Sequence, residues 1–223
     1  MNKSYSTAMD STTSRVGALP LLTPVARFMA VAVIAAIAAF IIKIEMLQLS
    51  GNLGENSLVE YTQELFLFFT SALFFAVAVK QPAQKGFAVL VSAFFMVLLI
   101  RELDGLLDMV WHGFWKFPAA VVAVLGMAYA RKHLTATLAP LSRYSEHASF
   151  GLMLGGLATL LVFSRLFGMG EIWQTAMQEN YMREVKNLAE EGVELLGYSL
   201  ILAAAIWYCL PGLVNKNQRD KHN

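Results

Sequence analysis

Three short stretches of this chain place carboxylates where they could hold a proton or a cation. One reads Glu60-Tyr61-Thr62-Gln63-Glu64-Leu65 and another Glu190-Glu191-Gly192-Val193-Glu194-Leu195. Both contain Glu-x-x-x-Glu-Leu, a spacing that sets two carboxylates on one face of a helix. Tyr198 continues the face of Glu194. The third stretch reads Arg101-Glu102-Leu103-Asp104-Gly105-Leu106-Leu107-Asp108, with His112 beyond it. On a continuing helix Arg101, Asp104 and Asp108 share a face and Glu102 points elsewhere.

Hard divalent ions take carboxylate oxygens, and an imidazole extends the choice toward transition metals. Crowded carboxylates also repel one another, which suits proton binding. The candidate polar site is therefore Glu64, Arg101, Asp104, Asp108, His112, Glu191, Glu194 and Tyr198. A divalent metal ion would draw its ligands from Glu64, Asp104, Asp108, His112 and Glu194. A plainer reading competes. Carboxylates at helix N-termini, such as Glu60 and Glu190, cap free N–H groups and gain about 0.3–1 kcal/mol each from the helix dipole. Arg101 paired with Glu64 or Glu194 would then serve only to hold helices in register. His112, between Trp111 and Trp115, would be a packing residue at the interface. Arg165 could snorkel or join the acids.

Other chemistries lack their motifs. HExxH, CxxC, GxxxxGK[ST] and GxGxxG do not occur, nor does the Glu-x-x-His of di-iron bundles. The single cysteine, Cys209, allows no intramolecular disulfide. Net charge is +1, so no basic field exists for nucleic acid.

The elements that must position these residues are membrane helices. Of the residues 57% are hydrophobic and 15% charged, and mean hydropathy is +0.54; a soluble domain is about a quarter charged. Six apolar segments approach the about 20 residues of a spanning helix: 25–47, 60–79, 87–107, 114–130, 147–167 and 191–210. They lack the alternation of a membrane barrel, and in hydrocarbon only helices or closed barrels pair every backbone group. The expected fold is all-α, a polytopic six-transmembrane-helix bundle. Helical spacing of Ile172, Trp173, Ala176, Met177 and Tyr181 predicts a short extracytoplasmic interfacial helix within 171–189, before the last span.

Residues 1–24 read as a disordered cytoplasmic tail, 25–213 as the transmembrane domain, and 214–223 as a second cytoplasmic tail. The first apolar run is too long for a signal-peptide core and is expected to stay uncleaved. Lys3, Arg15 and Arg27, then Lys80 and Lys85, then Arg131, Lys132 and Arg143, then Lys216, Arg219 and Lys221 all fall on one side of this threading. The positive-inside rule makes that side cytoplasmic, with both termini there, in a bacterial-type inner membrane. The acids then face outward. Gly151, Gly155 and Gly156 give the fifth span a small-residue face for packing within the chain or for a homo- or hetero-oligomer in the bilayer.

Three functions fit these residues. The first is binding or conducting a cation or proton at the outward acids. The second is a metal-dependent membrane enzyme with a carboxylate and His112 site. The third is a non-catalytic membrane subunit or assembly factor whose acids only fasten helices together.

Overall fold

The computed structural model describes residues 19–49 and 57–219, and every regular element among them is helical. The tail expected at 1–24 lies outside the described residues up to position 18, and Leu19 already begins a helix. In chain order the α-helices are α1 (Leu19–Ile44), α2 (Leu58–Lys80), α3 (Lys85–Glu102), α4 (Asp104–Leu107), α5 (Lys116–Lys132), α6 (Thr135–Ser145), α7 (Phe150–Ala158), α8 (Ser164–Gly168), α9 (Gly170–Met177) and α10 (Arg183–Arg219). Glu45–Leu49 and Thr159–Phe163 wind as π-helix, the latter joining α7 to α8 without a break.

Five helices are long and apolar enough to cross a membrane: Pro24–Leu47, Leu58–Lys80, Pro82–Glu102, Phe150–Gly168 and Arg183–Val214. The segment expected as a further span, 114–130, forms α5 with 17 residues, shorter than those five. The last span and the segment before it are not separate as expected. The positive φ of Gln178 (50°) ends the amphipathic run, and Arg183–Arg219 is one helix of 37 residues. The basic loop after α5 also holds a helix, α6. It reaches α3 because Gly86 has no side chain: a Cβ there would meet the Thr137 hydroxyl and, at 3.0 Å, the His133 carbonyl.

Two antiparallel helices, α2 and α3, form the centre with α10. On its other sides α3 carries α5 and α6, while α10 carries α1 and the α7–α8 helix. Leu67, Phe74 and Val77 of α2, Phe87, Phe95 and Leu99 of α3, and Tyr198, Ile201 and Ala205 of α10 bury the common core. Lipid tails are as apolar as these side chains, so close backbone approach and interhelical hydrogen bonds must hold the helices together. Both are present. The Ser71 hydroxyl donates to the Ser92 carbonyl at 3.0 Å, and the Ser92 hydroxyl returns a bond to the Ser71 carbonyl at 3.0 Å. Gly156 of α7 and Gly197 of α10 meet so closely that a Cβ on either would stand 3.0–3.2 Å from the other's carbonyl.

The other two glycines of the Phe150–Gly168 helix behave differently from Gly156. A Cβ on Gly151 or Gly155 would meet no atom of the described residues within 4 Å, so neither contributes to packing among them.

Candidate functional site

The start of α2, the end of α3, helix α8 and the first half of α10 come together at one end of the bundle. Each is fixed there by local chemistry. Ser57 caps α2, its hydroxyl accepting the Glu60 N–H at 3.1 Å. The Glu45 carboxylate, 2% exposed at the end of α1, accepts the Leu58 N–H at 2.6 Å. A buried anion is thus satisfied by the positive end of a helix. The α7–α10 glycine contact sets the height of Arg165 against α10.

On that frame the acids are held one by one. Arg165 donates from Nη2 to Glu194 Oε1 at 2.5 Å, across from α8 to α10. Glu194 is buried, 8% exposed at its side chain, whereas Arg165 is half exposed. Arg101 pairs with its neighbour Glu102, and the Tyr198 hydroxyl donates to the same Oε1 of Glu102 at 2.7 Å, tying α10 to α3. The buried Gln63 amide donates to Glu191 Oε2 at 2.9 Å, tying α2 to α10. Lys186 pairs with Glu190 at 2.6 Å along α10. Glu64 stands close enough to feel the like charges of Glu60 and Glu102, and it makes no hydrogen bond or ion pair among the described residues. Glu194 in turn lies near Glu102, Glu191 and Glu190.

Of the residues singled out from sequence, Glu64, Arg101, Glu191, Glu194 and Tyr198 therefore meet. Asp104, Asp108 and His112 do not join them. Helix α3 stops at Glu102, and Leu103 interrupts it before the single turn of α4. The face extrapolated from Arg101 to Asp108 is lost at that break. Asp108 instead closes its own loop: one oxygen accepts the Gly113 N–H at 2.8 Å and the other meets His112 Nδ1 at 3.0 Å. Gly113 has φ +83°, which permits that turn. The His112 side chain is fully exposed, and Asp104 is exposed as well. The expected five-ligand metal set is consequently not assembled. Among the described residues no group of three or more His, Cys, Asp or Glu stands close enough to hold a metal ion.

Three participants escaped the sequence reading. Glu102 was expected to point away, but it is the acceptor that Arg101 and Tyr198 share. Gln63, adjacent to Glu64, is a neutral amide with no charge to single it out, yet it is buried and holds Glu191. Glu45 carried the clearest signal, a carboxylate among apolar residues at the end of a membrane-length helix, which needs a partner at that depth.

At its basic end the bundle closes with aromatic rings. Tyr144 and Tyr208 lie 4.4 Å apart between ring centroids, over Phe74 and Phe87. Burial pushes the Tyr144 phenol well above its ordinary range, so it stays neutral.

The fold and site together define a helical protein with five helices long and apolar enough to cross a membrane and a polar network at one end of its bundle. No family model matches the chain, and no curated protein or solved structure matches it.

Proposed function

We propose that this is a multi-pass inner-membrane protein whose outward face binds a proton or another cation at the acids of α2, α3 and α10. One observation carries the reading. Arg101, Arg165 and Lys186 are taken up by Glu102, Glu194 and Glu190, which among the described residues leaves Glu191 with the neutral amide of Gln63 and Glu64 with no hydrogen-bond or ion-pair partner. Unbalanced negative charge is costly where the dielectric is low, and taking up a proton or a cation relieves it.

Binding at the face is favoured over conduction through the bundle. Leu67, Phe74, Phe95 and Ile201, each no more than 1% exposed, fill the interior around the Ser71–Ser92 pair. The metal-dependent enzyme reading lacks a converging ligand set among the described residues. The reading as a non-catalytic subunit keeps one specific support: Tyr198–Glu102, Gln63–Glu191 and Arg165–Glu194 each fasten two helices.

The placement in the membrane belongs to the same proposal. Helix α5 is counted as the sixth span. Its 17 residues reach about 26 Å at 1.5 Å per residue, near the lower limit for crossing. Trp111, Phe114 and Phe117 cluster at one end, and Arg131 and Lys132 lie at the other. With six crossings the basic loops are cytoplasmic and the acids face out. Helix α9 then lies at the outer interface, pinned by the Trp173 indole, which donates to the Phe167 carbonyl at 2.7 Å. The open faces of Gly151 and Gly155 are available to a second membrane helix.

The test is thermal unfolding of the purified protein across series of pH, sodium, magnesium and calcium at constant ionic strength. A ligand that binds the native state raises the midpoint with its concentration. At least one series is expected to raise it, and E64Q combined with E191Q is expected to flatten that response. Midpoints insensitive to all four in the wild type reject the reading.

A further inference from the structure

Helices α1 and α7 both pack on α10, and between them at the basic end they leave a groove of about 750 Å³. Its walls are apolar: Ala30 and Ile34 of α1, Leu152 of α7, Ala203 of α10. At its mouth Arg27 lies over the Trp207 ring, 4.9 Å from guanidinium carbon to ring centroid. Arg27 is exposed and makes no ion pair among the described residues. It stands near the start of the span Pro24–Leu47, and Trp207 stands near the end of the span Arg183–Val214, so both sit at the level of lipid headgroups.

We infer that this groove binds one anionic phospholipid, with an acyl chain along Ala30, Ile34 and Ala203 and the phosphate on the Arg27 guanidinium. The charge requirement comes from Arg27 itself. A guanidinium is always protonated and offers paired donors that match phosphate oxygens, and no carboxylate of the described residues occupies them. The cation–π contact with Trp207 holds the guanidinium at the groove mouth. The apolar lining is the other half of the match, because a small anion such as free phosphate would leave it empty. From Ala26 to Ile34 the α1 wall runs about 12 Å at 1.5 Å per residue, long enough for much of one acyl chain.

The test uses fluorescence quenching. Trp207 is kept as the only tryptophan by replacing Trp111, Trp115 and Trp173 with Phe, and the full chain is reconstituted in nanodiscs. Brominated-chain phosphatidylglycerol or brominated-chain phosphatidylcholine is then added in increasing mole fraction. Half-maximal quenching is expected at about fivefold lower phosphatidylglycerol than phosphatidylcholine, the effect of one basic side chain at a membrane surface. R27Q removes the difference and R27K retains most of it. Ala30→Leu weakens quenching by both lipids, and added inorganic phosphate does not compete. Identical curves for the two lipids in the Arg27 protein identify ordinary boundary lipid and overturn the inference. So does a phosphatidylglycerol preference that survives R27Q, or one that free phosphate abolishes.

Discussion

The Tyr198 hydroxyl donates to Glu102 Oε1 at 2.7 Å, joining the first half of α10 to the last turn of α3. Tyr198 is 1% exposed, so its phenol has no access to water as an alternative partner. The bond also places Glu102 beside Arg101 and within the field of Glu64 and Glu194. One tyrosine thereby fixes which acid of the third stretch enters the cluster.

Replacing Tyr198 with Phe keeps the ring and removes this bond. Hydrogen bonds to a charged acceptor contribute about 1.5–3 kcal/mol in water-soluble proteins, and interhelical ones in membranes average about 0.6 kcal/mol. Y198F is therefore expected to lower stability by about 1 kcal/mol, read as a shift in reversible unfolding by denaturing detergent. A stability equal to wild type would show that the bond contributes nothing.

Arg165 and Glu194 should behave as a coupled pair. R165Q leaves a buried carboxylate without its cation, whereas R165Q combined with E194Q leaves two neutral amides. The double variant is expected to be more stable than R165Q alone. Arg165 is half exposed, which screens the interaction and holds the expected coupling to about 1 kcal/mol. Strict additivity of the two single effects in a double-mutant cycle would contradict the pairing.

The two kinds of glycine in the Phe150–Gly168 helix should separate cleanly in experiment. A Cβ at Gly156 would stand 2.8 Å from Ile201 Cγ1 and 3.0 Å from the Gly197 carbonyl. G156A should then destabilise by about 1–3 kcal/mol through overpacking against backbone. G155A meets open space, and its effect on the monomer should stay within about 1 kcal/mol, the difference in helix propensity. Equal losses for both would mean that α7 presents another face to α10.

Side-specific labelling decides whether α5 crosses the bilayer. Cys209 is buried and can be replaced by Ala to give a cysteine-free background. Trp111→Cys and Leu134→Cys then place single exposed thiols at either end of α5. A membrane-impermeant maleimide is expected to reach Trp111→Cys only from the periplasmic side and Leu134→Cys only from the cytoplasmic side. Labelling of both from one side would reduce the count of crossings to the five longer helices.

Much of the architecture was written in the order of residues. Apolar runs of membrane length in a sparsely charged chain leave the helix as the one structure that pairs its own backbone in hydrocarbon, and every regular element among the described residues is helical. The Glu-x-x-x-Glu spacing likewise set Glu60 with Glu64, and Glu190 with Glu194, on one face of a helix, because α2 and α10 continue through those positions without a break. Asp104 and Asp108 misled for the opposite reason. Their spacing from Arg101 has meaning only on an uninterrupted helix, and the break at Leu103 removes it.

What the chain order could not supply is the rotation of one helix against the next. Periodicity defines a face within a helix, but close contacts decide what that face meets. Here those contacts are the glycines 156 and 197 and the serines 71 and 92, whose small side chains let backbones approach and hydrogen-bond across the interface. That packing gave Glu194 to Arg165, Glu102 to Tyr198 and Glu191 to Gln63, and it left Glu64 without a partner among the described residues. Sequence determined that acids would gather at one end of a helical bundle, because charge is excluded from hydrocarbon. Tertiary structure alone decided which of them are neutralised there, because neutralisation depends on angstrom distances between helices far apart in the chain.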